Sequence, residues 1–317
     1  MNHLLHITKI RQLDGRADNL PSCRLSSPCG MDLLQMGTYL AQAILLEVCT
    51  HPKPGLVTRL SSGSHTDMNI FTFAMSSAVL GQAFQDLLRI GYEFSGSTKE
   101  LMRQVRIYGK YAEDKLLDAT KGVNTQRGIL FSGGLLSAAA GYAAANDISK
   151  ENLLSIVCEM TEGIVERELR VQDKEEQRLT AGEKLFRKYG ITGIRGEVEA
   201  GFPSVMQHGL PAMQEAFFRN ASLNDALLHT LLSLMTVVED SNIIWRTDVK
   251  TAEAVKQRAV EILDCGSVFT ECGKNLIVRT EKDFVNRRIS PGGSADLLSV
   301  TIALYLLENK KFPGKIL

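Results

Sequence analysis

Apolar residues recur every three or four positions along nearly the whole chain from Met31 onward, the period of an amphipathic helix rather than the alternation of a strand. Leu33, Leu34, Tyr39, Leu40, Ile44, Leu45 and Val48 mark a first helix, and the pattern predicts others at about 71–91, 98–117, 127–145, 150–168, 180–189, 203–219, 222–239, 248–263, 274–287 and 294–308. Ser149 is the expected cap of the 150–168 helix, whose inward stripe is Leu153, Leu154, Ile156, Val157, Met160, Ile164 and Val165. Ser222, with Asp225 three positions on, is a capping-box variant opening a helix that is apolar on nearly every face and is expected at the centre. The small residues of 133–145, GGLLSAAAGYAAA, predict a helix that a neighbour can approach backbone to backbone. No segment of period two is long enough to anchor a sheet, and no fixed-period repeat is present. The expected class is all-α, a single large multi-helix domain over 31–317 with its active site built from inter-helix loops. Residues 1–30, with Pro21, Pro28, several serines and scattered hydrophobes, read as an appended N-terminal extension, and the charged stretch 168–180 reads as a solvated link.

Composition narrows the function without naming it. A chain of 317 residues, 44% hydrophobic, can bury a large core. Lys+Arg and Asp+Glu are equal at 36 each, so no overall field gathers nucleic acid or an acidic membrane, and any anion site is local. The six cysteines include no C-x-x-C pair, and Cys265 and Cys272 lack the spacing of a zinc knuckle, which leaves reduced thiols as the expectation. The N-terminus lacks a basic stretch followed by a continuous apolar one, so no secretory signal is read there. The run taken as longest and most apolar, 227–238, is interrupted by His229, Thr230 and Ser233 and falls short of the roughly 18 residues of a membrane span. A soluble, cytoplasmic protein is expected.

Five connections are richer in chemistry than connections need to be. Residues 47–69, EVCTHPKPGLVTRLSSGSHTDMN, are far longer than the usual loop of about 4–6 residues, and Pro52, Pro54, Gly55 and Gly63 constrain the backbone while Lys53, Arg59, His65 and Asp67 supply both signs of charge. The others are 120–136 (TKGVNTQRGILFSGGLL), 193–205 (GIRGEVEAGFPSV), 239–246 (EDSNIIWR) and 287–300 (RRISPGGSADLLSV). In the last, Pro291, Gly292 and Gly293 deliver the chain to Ser294 as the expected N-cap, with Asp296 in the first turn. Such a helix start either is simply well capped or receives a phosphate or carboxylate on its free N–H groups. Asn124 and Thr125 precede Arg127 and Gly128 in the same manner. Asp240 and Asn242 are read as ending a buried helix, where an anion is disfavoured, so that a cation or an arginine such as Arg246 is expected beside them. If the five stretches converge, they bring together carboxylates for Mg²⁺, cations and glycine N–H groups for phosphates, and an acid/base carboxylate.

In this order the stretches resemble the triphosphoribosyl-dephospho-CoA synthase family. The resemblance is carried by Lys53-Pro54-Gly55-Leu56-Val57, Gly63-Ser64-His65-Thr66-Asp67-Met68, Gly122-Val123-Asn124-Thr125, Arg195-Gly196-Glu197-Val198-Glu199-Ala200-Gly201-Phe202-Pro203, Asp240-Ser241-Asn242 and the run from Ser290 to Leu298, and it covers residues 31 to about 308. It implies a helical enzyme that joins the ribose C1′ of ATP to the 2′-hydroxyl of 3′-dephospho-CoA with loss of adenine. The product would be the precursor of the prosthetic group on the acyl carrier subunit of citrate lyase or of malonate decarboxylase. That carrier subunit and the transferase that loads it are the implied protein partners, and the sequence does not say whether the chain forms a homodimer. Displacement at an anomeric carbon needs negative charge near an oxocarbenium-like state, a base for the hydroxyl and a proton for the adenine. The resemblance therefore assigns Mg²⁺ to Asp67, Asp240 or Asp296, and the base to Glu47, Glu197 or Glu199. The nucleotide falls to Lys53, Gly55, His65, Asn124, Thr125, Arg127, Arg195, Asn242, Gly292, Gly293 and Ser294.

The chain departs from the family pattern at Thr58, where Asp is usual, and at Gln126-Arg127, where His-Lys is usual. Ser241 replaces Thr, and Trp245-Arg246-Thr247 replaces an Arg-Gly-Gly turn. Two other functions stand beside the transferase: a Mg-dependent N-ribosyl hydrolase, in which water replaces the acceptor hydroxyl, and a weakened paralogue that binds nucleotide or a carrier-protein partner without turnover, to which Thr58 and Gln126 lend weight.

Overall fold

The computed structural model describes residues 32–170 and 176–313; the expected N-terminal extension, Cys23, Cys29 and part of the 168–180 link lie outside the described residues. Among those residues the regular elements are all helical and no strand is present, as the apolar period required. Helix α1 (Leu33–Cys49) starts where Asp32 accepts the Leu34 N–H at 2.8 Å. Helices α2 (Ile70–Glu93) and α3 (Thr98–Ala119) start at reciprocal capping boxes, Asn69 with Thr72 and Ser97 with Glu100. Helix α4 is Arg127–Ala145. Its small residues act as their spacing predicts: a Cβ on Gly141 would lie 1.9 Å from the Leu88 carbonyl oxygen, and one on Gly91 would lie 2.0 Å from that of Ala138. The backbones of α2 and α4 therefore touch. By length and composition α4, rather than 227–238, is the described helix apolar enough to cross a membrane, but 78% of its most apolar window is buried inside the protein, as in a core helix.

The single helix expected over 150–168 is broken. Helix α5 (Leu153–Thr161) follows a 3-10 turn that Ser149 precedes without a side-chain cap bond. Helix α6 (Ile164–Leu169) begins after Gly163, whose φ of +69° suits a residue without a Cβ. Helix α7 (Ala181–Tyr189) is opened by a Thr180–Glu183 capping box and closed by Gly190 at φ +73°. Helix α8 (Ile194–Glu199) stands where a loop was expected. The 203–219 segment is a π turn over 205–209 followed by α9 (Leu210–Phe218), and the 222–239 segment ends early as α10 (Leu223–Met235). Helix α11 (Ser241–Arg246) likewise forms where the apolar pattern predicts a loop. Helices α12 (Val249–Asp264), α13 (Glu271–Arg287) and α14 (Gly292–Asn309) complete the fold.

Helix α10 lies at the centre as expected, but α14 shares that place. Leu227, Leu231, Leu232 and Leu234 of the one and Leu298, Val300 and Ile302 of the other are sealed from solvent. Each such side chain contributes about 1.5–3 kcal/mol relative to exposure. The register of α14 is thereby fixed, and with it the aim of its polar first turn.

Candidate functional site

The connection 50–69 between α1 and α2 is held by its own side chains. Thr58 Oγ1 accepts the N–H groups of Leu60 (3.2 Å) and Ser61 (3.0 Å) and lies 3.0 Å from His51 Nδ1. Asn224, at the start of α10, exchanges hydrogen bonds with the His51 backbone at 3.0 and 2.7 Å. Val57 and Met68 pack under the loop against Val48 of α1. Gly55, at φ +74°, passes so close to α14's approach that a Cβ would sit 2.0 Å from the Ile289 carbonyl oxygen, and the Ser64 hydroxyl donates to that same oxygen at 2.6 Å. The loop is thus pinned against the entry to α14.

Between them lies a cleft of about 700 Å³ to which all five stretches contribute. It is lined by the first residues of α4 (Arg127, Gly128), α8 (Ile194), α11 (Ser241, Asn242) and α14 (Gly292, Gly293). Neither α4 nor α14 has a side-chain cap of its own: Gln126 and Pro291, the residues before them, make no capping bond. At the start of α14 Asp240 takes the Gly293 and Ser294 N–H groups, and at the start of α4 Asp296 takes that of Ile129, so the first two N–H groups of α4 are the ones that favour a bound anion.

The floor of the cleft is acidic. Glu47 is buried and ion-paired with Lys53, whose side chain is 1% exposed. Burial pushes the Glu47 carboxyl up against the pull of Lys53, and pushes the Lys53 ammonium down against the pull of Glu47. Asp296 faces the cleft from the first turn of α14; burial, then the Glu47 and Asp240 carboxylates, hold its carboxyl well above the usual range. Its oxygen lies over α4, where a Cβ on Gly128 would be 1.9 Å from Oδ2. Only the absence of a side chain at 128 allows that approach.

Glu197 enters from α8. It accepts the Ser204 N–H at 3.3 Å and hydroxyl at 2.5 Å, and burial pushes its carboxyl up against both bonds, helped by the Glu239 carboxylate. Glu239 lines the same wall and was not singled out by sequence. Opposite charge comes from Arg127, ion-paired with Glu113, and from Arg246, whose guanidinium lies 3.4 Å from His65 Nδ1. His65 Nε2 is 2.8 Å from Ser290 Oγ, and burial followed by Arg246 pushes its imidazole pKa down, with Asp67 opposing. Asn124, Thr125 and Asn242 also line the cleft. Among the described residues, Thr125 Oγ1 is the buried side-chain polar atom left without a hydrogen-bond partner.

Six residues named from the sequence do not line the cleft. Lys53 is spent on Glu47, and Gly55 on the close pass at Ile289. Arg195 turns away to Glu168, Nε to Oε2 at 2.7 Å. Glu199, two residues beyond Glu197 on a helix and so on a different face, accepts the N–H groups of Gly163 (2.5 Å) and Val165 (3.2 Å) and caps α6. Asp240 does not end a helix; it begins α11, and burial pushes its carboxyl up against bonds from the N–H groups of Ser294, Gly293, Ile243 and Asn242. Ser294 is not the N-cap of α14, which starts two residues earlier, and its N–H and hydroxyl both go to Asp240. Residues the sequence reading left out of the site are Glu239, Trp245, Arg246, Gly193 and Ser290. Trp245 and Arg246 were visible as departures from the family pattern, and Gly193 and Ser290 sat inside quoted motifs.

The three aspartates offered for a metal do not form one ligand set. Among the described residues no three His, Cys, Asp or Glu side chains are grouped for a metal ion. Asp67 neighbours His65 at 3.8 Å, and Asp240 is occupied by N–H donors. Asp296, with Glu47 beside it, keeps a carboxylate on the cleft whose charge the protein leaves poorly compensated. That suits an ion arriving with a polyphosphate, since Mg²⁺ commonly takes one or two carboxylates and completes its shell with phosphate oxygens and water.

Nothing in helix packing requires the open start of α4, two arginines and carboxyls of raised pKa to share one hollow; the arrangement is that of a helical enzyme acting on a phosphorylated substrate. Comparison with known proteins makes this specific. Residues 34–313 match the profile of the family described as ATP:dephospho-CoA triphosphoribosyl transferase, and the chain belongs to that family. It is 42% identical over 287 residues to a probable 2-(5''-triphosphoribosyl)-3'-dephosphocoenzyme-A synthase of Malonomonas rubra, covering 89% of this chain and 90% of that protein. It is 37% identical over 276 residues to the 2-(5''-triphosphoribosyl)-3'-dephosphocoenzyme-A synthase of Pectobacterium atrosepticum, covering 86% and 89%. It is also 37% identical over 271 residues to Protein CitXG of Leuconostoc mesenteroides subsp. cremoris, covering 83% of this chain and 57% of that protein. No solved structure matches the chain.

Proposed function

We propose that the chain transfers the triphosphoribosyl group of ATP to the 2′-hydroxyl of 3′-dephospho-CoA. The bond from C1′ to adenine N9 breaks, the bond from C1′ to the acceptor O2′ forms, and the hydroxyl proton leaves, in net terms, on adenine. The observation that carries this reading is the convergence of Glu47, Glu197 and Asp296, all with raised pKa, on a cleft that also presents Arg127, Arg246 and the start of α4, whose N-cap residue makes no capping bond.

Glu197 is the residue best placed to take and return the proton, because its burial puts its affinity for one nearer neutrality while Ser204 fixes its orientation. Asp296 and Glu47 line the floor beneath C1′, where a carboxyl that has given up its proton meets the positive charge that develops there. The triphosphate lies across the first turn of α4, with Arg127 and Arg246 beside it and Thr125 Oγ1 donating its unused proton. Mg²⁺ bound with the triphosphate would be held by Asp296 and would neutralise part of the phosphate charge. The reaction belongs in the cytoplasm, and its product is the precursor of the prosthetic group of a citrate lyase or malonate decarboxylase carrier subunit.

The departures at positions 58 and 126 do not favour a weakened paralogue. Thr58 is buried away from the cleft and organises the loop. Gln126 Oε1 is held by the Ser76 hydroxyl. Incubation with ATP, Mg²⁺ and 3′-dephospho-CoA is expected to release adenine and one conjugate carrying the triphosphate in equal amounts. Free triphosphoribose without conjugate would instead identify a hydrolase.

A further inference from the structure

Trp245 is the chain's single tryptophan, and it is 52% exposed while lining the cleft. The helix that carries it is held at both ends. Helix α11 is capped by Asp240 at one end, and at the other the Thr247 N–H and hydroxyl both return to the Ile243 carbonyl at 2.8 and 2.7 Å. The Lys184 ammonium lies 5.9 Å from the indole centroid, and the next residue, Arg246, reaches toward His65 inside the cleft. An exposed indole beside the Lys184 ammonium presents a flat π surface and positive charge together. An adenine base linked to a diphosphate is complementary to both.

Both substrates of the proposed reaction carry adenine, but they differ in what lies beyond it. The donor's ribose must reach Glu197 and Asp296, and its triphosphate must reach the start of α4, so the donor belongs in the interior. The acceptor carries a long pantetheine arm beyond its diphosphate, which a cleft of about 700 Å³ already holding the donor cannot enclose. The acceptor's diphosphate and arm therefore leave by the rim, where Trp245 and Lys184 lie. Resting on the transferase reading, we infer that Trp245 stacks on the adenine of 3′-dephospho-CoA, with Lys184 facing its diphosphate.

Because no second tryptophan contributes, emission from the full-length chain reads this contact directly. Titration with 3′-dephospho-CoA, alone and with inorganic triphosphate filling the donor site, is expected to quench it saturably, and ATP with Mg²⁺ much less. Trp245→Ala is expected to raise KM for 3′-dephospho-CoA about tenfold or more, with KM for ATP held within about twofold and Trp245→Phe recovering most of the loss. Equal quenching by ATP, with KM for ATP raised instead, would place the donor base here and overturn the inference. No quenching and unchanged KM values, in a chain that still makes conjugate, would overturn it and leave the transferase intact. Saturable quenching by 3′-dephospho-CoA in a chain that makes no conjugate would uphold the contact and defeat the transferase reading.

Discussion

The Asp240 carboxylate joins two helix starts: Oδ2 accepts the Ser294 N–H at 2.9 Å and hydroxyl at 3.2 Å, while Oδ1 accepts the N–H groups of Asn242 at 3.1 Å and Ile243 at 3.4 Å. Helices α11 and α14 bring Trp245 and Asp296 to the cleft, so this one side chain sets the distance between its rim and its floor. Removing it leaves buried donors unmet. Asp240→Ala is expected to lower stability by about 2–5 kcal/mol in urea denaturation. Asp240→Asn should recover only part of that, because its amide would set N–H against the N–H of Ser294. An unchanged midpoint in the alanine variant would show that the junction does not hold the helices.

Lys53 and Glu47 separate folding from catalysis. Lys53→Met leaves Glu47 charged, buried and unpaired, which is expected to cost about 3–5 kcal/mol. The double variant Lys53→Met, Glu47→Leu should regain most of that stability, since apolar replacements of a buried pair are commonly tolerated. It should not regain turnover, because Glu47 lines the reaction cleft. Thermal unfolding and adenine release, measured on the same preparations, decide the matter. A double variant that is both stable and active would remove Glu47 from the mechanism.

Gly128 offers the opposite contrast. In an ordinary first turn Gly→Ala is neutral or favourable by up to about 1 kcal/mol. Here the new methyl would meet Asp296 Oδ2. Gly128→Ala is expected to keep its melting temperature within a few degrees and to lose about 10²-fold in kcat/KM, as small displacements of reacting groups do.

Glu197→Gln is expected to lower kcat by about 10²–10⁴-fold, whereas Glu199→Gln, at the α6 cap, should affect stability more than rate. The pH profile tests the same assignment. Burial raises the Glu197 pKa, and the Ser204 hydroxyl bond lowers it. A base with a raised pKa works only above that pKa, so activity rises with pH through it. Ser204→Ala withdraws a bond that favours the carboxylate, so the acidic limb of kcat/KM should move to higher pH. Movement to lower pH would contradict the role given to Glu197.

The long helices and the five working connections were legible in the sequence because their signals are local: a hydrophobic period, a cap, a cluster of glycine and charge. The division of labour inside those connections was not. Glu197 and Glu199 look equivalent in RGEVEAGFP until α8 forms and sends one into the cleft and the other to α6. Lys53 looks like a phosphate ligand until burial pairs it with Glu47. Asp240 looked stranded at a helix end because Val237 and Val238 continue the apolar run past Met235, where α10 in fact stops. Its main partner, Ser294, is distant in sequence, and no local pattern announces such a bond. Trp245 carried only the signal of being unexpected.

The helix starts that meet at the cleft belong to segments scattered from α4 to the last helix, and none of them is aimed there by its immediate neighbours. No excised piece of the chain can therefore keep affinity for the nucleotide. A protease cut that frees α14, however far from the substrates, should abolish binding and not merely weaken it. Conversely, saturating substrate should protect distant connections from digestion by RT ln(1 + [L]/Kd), because the ligand binds the folded bundle and not the unfolded chain. Resistance to cleavage thus becomes a gauge of ligand binding that requires no chemistry at all.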